Sequence, residues 1–210
     1  GSAYFTVPAR RALVFVARDK QQREVKRMNS FVTLMPGEKT GCVRCHEQRT
    51  QAPPAVASAM PTAMQTPPVD VRPIKGVPDI IDFNRDIQPI LDKHCVECHN
   101  DKNEKTASLE QTSRTMFSDS YERMARKWRV VMGGTNTDPY RTGTATHKAI
   151  EVLEKGHNDV QLSETEMQTL RMWVHAGGHY AGTYAAMGYD AMSDMPIDRT
   201  VLEKRCYSCH

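Results

Sequence analysis

Six cysteines occur in 210 residues, and every one lies in a Cys-x-x-Cys-His element. The three elements are Cys42-Val43-Arg44-Cys45-His46, Cys95-Val96-Glu97-Cys98-His99 and Cys206-Tyr207-Ser208-Cys209-His210. With six Cys and eight His, a given Cys is followed by Cys at +3 and His at +4 by chance about once in a thousand. Two thiols three residues apart on one helical turn can both add to the vinyl groups of one porphyrin, and the next His then lies under the iron. The pattern reads as covalent attachment of three c-type haems. A disulfide framework would not explain a His after each pair. A zinc ribbon needs its Cys pairs about 15–20 residues apart, far closer than here, and no βαβ context for a thioredoxin-like motif is found near any pair.

The expected core is otherwise thin. Hydrophobic residues make up 39% and aromatics 7%, the mean hydropathy is −0.59, and 12 Gly and 12 Pro interrupt the chain. Stabilisation beyond aliphatic packing is therefore expected, and a porphyrin is a large apolar body to pack around. The net charge of +3 comes from interspersed signs, which gives no nucleic-acid stripe and no polybasic membrane anchor. No apolar run approaches the eighteen residues of a membrane span. Gly1-Ser2-Ala3-Tyr4-Phe5 lacks a signal peptide's basic region and apolar run, so the expectation is a removed signal or a piece of a longer chain.

The fold class expected is a mainly α c-type cytochrome with a small N-terminal antiparallel β module. Residues 1–50 hold short β-like runs, Ala3–Val7, Ala12–Ala17, Glu24–Lys26 and Ser30–Leu34, ending in the first motif. Residues 51–80 carry seven of the twelve prolines and read as an extended linker lying against a surface. Residues 81–190 read as a helical cytochrome domain with the second haem, and 191–210 as a terminal helix with the third motif. Asn84 is expected to cap a helix through Ile87, Ile90 and Leu91. Ser118–Val131 and His147–Lys155 have helical spacing, the latter stopped by Gly156. Ser163–Glu166 is a capping box for a helix carrying Leu170 and Trp173 and broken at Gly177-Gly178.

Five histidines lie outside the motifs: His94, His147, His157, His175 and His179. Three irons held by His46, His99 and His210 need three distal ligands, and a neutral imidazole suits the role. His147, at a helix start, and His175 and His179 are candidates. His94 directly precedes Cys95, so it is better placed for an adjacent haem than for its own. Met187, Met192 and Met195 are rival distal ligands that would raise the haem potential.

Gly1–Ala9, Met35-Pro36-Gly37-Glu38 and the Cys42–Glu47 segment resemble the middle domain of the hydrazine synthase alpha subunit family. Asp86–His99, Gly156–Val160 and Leu162-Ser163 with the Trp173 helix are similar to the cytochrome domain that follows it there. The resemblance implies His157 as distal ligand of the second haem. In hydrazine synthase the middle-domain haem has an open site, with a Tyr ligand shortly after the motif His. The matching position here is Thr50, and no Tyr occurs between Tyr4 and Tyr121, so the synthase chemistry is not expected.

One motif per 70 residues leaves little protein to insulate the haems, which favours electron transfer along a haem chain. The alternatives are a haem enzyme with an open-site iron and a soluble periplasmic electron shuttle. Covalent haem attachment occurs outside the cytoplasm, so the expected location is periplasmic or extracellular. The expected partners are redox proteins or extracellular electron acceptors. The third motif closes at His210, so neighbouring copies are expected to cover one another's terminal haems, head to tail, as a homo-polymeric wire or part of a larger assembly. Truncation of a longer multihaem chain is the competing expectation.

Overall fold

The computed structural model describes residues 2–41, 60–113, 116–134 and 137–183. The first and third Cys-x-x-Cys-His motifs and the terminal helix expected within 191–210 lie outside these residues. So do the Met187, Met192 and Met195 candidates.

The N-terminal segment folds as an irregular antiparallel hairpin. Strands β2 (Val16–Arg18) and β3 (Glu24–Arg27) pair around a turn in which Asp19 accepts backbone hydrogen bonds from Gln21 and Arg23, both at 2.9 Å. The pairing continues through a bridge between Leu13 and Val32. Its register slips within the hairpin: Ala17 opposes Lys26 but Arg18 opposes Glu24. Residues three apart on a regular strand face opposite sides; the extra residue, Val25, bends β3 and lets Glu24 and Arg27 both turn inward.

Strand β1 (Phe5–Thr6) departs from the antiparallel expectation. It pairs in parallel with β4 (Val69–Asp70), from the proline-rich segment, and Thr6 Oγ1 donates to the Asp70 carboxylate. Ser2 Oγ accepts from the Ala63 N–H at 3.0 Å at the start of a 3₁₀ turn, Thr62–Gln65. Further along, a Cβ on Gly76 would stand 3.1 Å from Thr165.

The helical part begins with a π turn, Phe83–Ile87, running into α1 (Gln88–His94). Asp82, not Asn84, is the cap. Its backbone is extended, and its carboxylate accepts from the Arg85 N–H, whereas Asn84 already lies inside the turn. Pro89 falls at the start of α1, where its missing N–H costs least. Ser118 caps α2 (Asp119–Tyr121), which continues as a π turn to Lys127. The helix expected to reach Val131 stops there, because Arg129 adopts φ +57°. Helix α3 (Lys148–Lys155) ends at Gly156, φ +86°. Helix α4 (Glu164–His175) starts with the expected capping box, Ser163 with Glu166. It stops before Gly177 and Gly178, at φ +101° and +67°.

These helices bury one core: Phe83, Ile87, Ile90, Leu91, Leu109, Met124, Ile150, Leu170, Trp173 and Val174. Trp173 is fully buried, ringed by Phe83 and Tyr121, and its indole N–H donates to the His179 carbonyl at 2.8 Å. Among the described residues, no helix is long and apolar enough to cross a membrane.

Candidate functional site

Helix α1 delivers the second motif at its C-terminal end, with the Cys95 N–H bonded to the Leu91 carbonyl at 2.8 Å. Polar side chains brace the turn that follows. Asn103 and Thr106 donate to the Cys98 carbonyl at 2.9 and 2.8 Å, and Asn100 donates to the Val96 and Glu97 carbonyls. Cys95 packs against the core, and burial pushes its thiol up to about 11; Cys98 is exposed. His99 Nδ1 lies 2.9 Å from the Ala107 carbonyl. A ring N–H donated there leaves Nε2 with the free lone pair, the tautomer control common among metal-binding histidines.

His157 faces this ring. It follows Gly156 in a tight turn whose next residues, Asn158 and Asp159, take φ +47° and +58°. This turn points His157 back at the second motif, with ring centres 6.0 Å apart and planes inclined at 41°. Trp128 packs edge-on to His99 at 6.5 Å. Sequence reasoning did not foresee Trp128 or the Ala107 carbonyl beside His99; nothing in their spacing signals it.

The other histidines separate. His94 Nε2 lies 3.1 Å from Glu166, a carboxylate held below its usual range by Lys93 and Ser163. His147 is fully buried, with Nε2–H donating to the Met124 carbonyl at 3.0 Å and the ring edge-on to Trp173. Burial lowers its pKa, so it is neutral at pH 7. His175 Nδ1 lies 3.0 Å from the Glu24 carboxylate. Among the described residues, His147 Nδ1 and His175 Nε2 are buried without a hydrogen-bond partner. His179 is exposed beyond the end of α4.

Glu24 and Arg27 form a buried ion pair that sequence reasoning missed, since each residue reads alone as a surface charge. Both guanidinium contacts are 2.5 Å, and Thr144 Oγ1 accepts from the Glu24 N–H at 3.0 Å. Burial alone would raise the Glu24 pKa. The hydrogen bonds from Arg27, His175 and Thr142, with the Arg27 charge, hold it instead at about 2.

Residues 1–47 are similar to the hydrazine synthase alpha subunit middle domain. The match ends just past the first Cys-x-x-Cys-His motif and covers less than a quarter of the chain. No curated protein and no solved structure matches this chain.

The described residues contain no group of three or more His, Cys, Asp or Glu side chains able to hold a bare metal ion. A porphyrin supplies four nitrogens itself and asks the protein for only two axial ligands. A pair such as His99 and His157, beside two thiols on one turn, has the donor set for that group.

Proposed function

We propose that this chain is a tri-haem c-type cytochrome that carries electrons, with haem on Cys42/Cys45, Cys95/Cys98 and Cys206/Cys209. His46, His99 and His210 are the proximal ligands, and His157 is the distal ligand of the second haem. The observation that carries the reading is the span between His99 and His157. A haem held there would take one imidazole nitrogen from each residue, which asks the two rings to face each other at close range. The two rings are 6.0 Å apart.

Haem iron would supply one-electron exchange without a proton or a leaving group. The chain's own residues hold and tune the site. The Ala107 carbonyl fixes the His99 tautomer, and the positive-φ turn after Gly156 aims His157. Trp128 packs edge-on to His99, and with the apolar residues around Cys95 it would limit water at a haem held there and so shift its potential. His99 and His157 together would offer a haem held there two imidazole ligands. The site then passes electrons between redox proteins or extracellular acceptors, in the periplasm or outside the cell.

After denaturation, the intact mass should exceed the 23.7 kDa polypeptide by three haems. His157→Ala should keep all three haems and convert one iron to a high-spin, ligand-binding form. A haem-free mass, or an unchanged spectrum in His157→Ala, overturns the reading. The similarity of residues 1–47 to a hydrazine synthase domain supports a second reading, a haem enzyme with an open-site iron. That reading requires a high-spin component in the unmodified protein.

A further inference from the structure

Helix α4 contributes neither His99 nor His157, yet charged side chains on it grip the elements that deliver both. Glu166 reaches α1. Its carboxylate takes Lys93 Nζ at 2.8 Å and lies 3.1 Å from His94 Nε2, and His94 stands directly before Cys95. Arg171 reaches α3. Its guanidinium donates to the Glu154 carboxylate at 3.0 Å, three residues before His157.

The two arms leave α4 in different directions. Five residues separate them, which is about 140° around an α-helix and about 7.5 Å along it. Glu166 is itself held by the capping box: the Ser163 N–H and Oγ donate to its other oxygen, both at 2.8 Å. The side chains of Glu154 and Arg171 are 25% and 12% exposed, so water competes for that pair less than for a free surface pair.

The apolar core also joins these helices, through Leu91, Ile150 and Leu170. Apolar attraction is non-directional, whereas charge-assisted hydrogen bonds fix a distance and a direction. The core therefore supplies cohesion, and the two arms supply register.

We propose that Glu166 and Arg171 are positioning residues that set the span between His99 and His157, with α4 as the stiff bar between them. The proposal rests on the reading that His99 and His157 are the axial ligands of the second haem. Removing either arm frees one side of the pair, so His157 leaves its place more often and an added ligand enters faster.

The test uses the full chain with its haems, reduced and mixed with carbon monoxide. The binding phase that becomes fast in His157→Ala reports the second haem. Glu166→Gln keeps the capping box, since Gln serves at that position, but loses the charge facing Lys93 and His94. Should that variant lose its fold, Lys93→Gln breaks the same arm from the α1 side. The phase should accelerate about two- to fivefold in Glu166→Gln and in Arg171→Gln, the range that partly exposed ion pairs supply. Glu151→Gln breaks an ion pair with Lys155 inside α3 alone and should leave the phase unmoved. Acceleration in neither variant, or in only one, overturns this proposal while the haem reading stands. Equal acceleration in Glu151→Gln also overturns it, because the effect is then one of general charge. If His157→Ala reveals no such phase, the proposal falls together with the assignment of His157.

Discussion

Replacing Glu24 with Gln removes one charge from a fully buried pair while keeping the side chain's shape. Arg27, 4% exposed, would then keep a buried charge beside a neutral amide and the Met132 sulfur at 2.8 Å, with no counter-charge from Glu24. The Glu24 pKa falls from its ordinary 4.5 to about 2 on folding. At about 1.4 kcal/mol per unit, the ionised carboxylate contributes about 3 kcal/mol at neutral pH. Loss of one partner of a buried pair costs about 3–5 kcal/mol in general, so the two routes agree. Urea unfolding at pH 7, followed by far-UV circular dichroism, should show a loss of about 3 kcal/mol with an unchanged slope. The pH dependence is the sharper test. The unfolded chain takes up the Glu24 proton first as pH falls, so this stabilisation is full above pH 4.5 and gone below about 2. The gap between wild type and Glu24→Gln should close over that window. A loss below about 1 kcal/mol at pH 7, or a gap that ignores pH, refutes the reasoning.

His147→Ala should cost about 2–4 kcal/mol by opening a hole beside Trp173, checked by urea unfolding. Because burial lowers the His147 pKa, wild-type stability should also fall as pH drops below 6.5, a component absent from the variant. Gly143→Ala should be about as costly as Glu24→Gln or worse, measured the same way. Gly143 has φ +52°, and its new Cβ would sit 2.7 Å from Glu24 Cδ.

The sequence was most legible where structure is local. Ser163 and Glu166 announce α4 because both halves of the capping box lie within four residues, and Gly156 announces the end of α3 for the same reason. The Asp82 cap was misread as Asn84 because two capping-type residues stand two apart. The choice between them depends on the π turn and on Gly182 donating to Asp82 from 100 residues away. Distance hid the rest. Glu24 and His175 are 151 positions apart, and no periodicity records that a bulge at Val25 turns Glu24 inward. The motif at Cys95–His99 was plain from spacing, whereas the facing of His157 depends on three positive-φ residues after α3.

The two-residue ladder between β1 and β4 has a topological consequence. By joining Phe5–Thr6 to Val69–Asp70, it closes a ring of chain that contains the whole hairpin and the first Cys-x-x-Cys-His motif. Closure entropy grows only with the logarithm of ring size, so ten more residues in that circuit would cost about 0.1 kcal/mol. Thermodynamics therefore leaves the length of the proline-rich stretch almost unconstrained. Lengthening or shortening that stretch would leave the Phe5–Thr6 to Val69–Asp70 anchor intact.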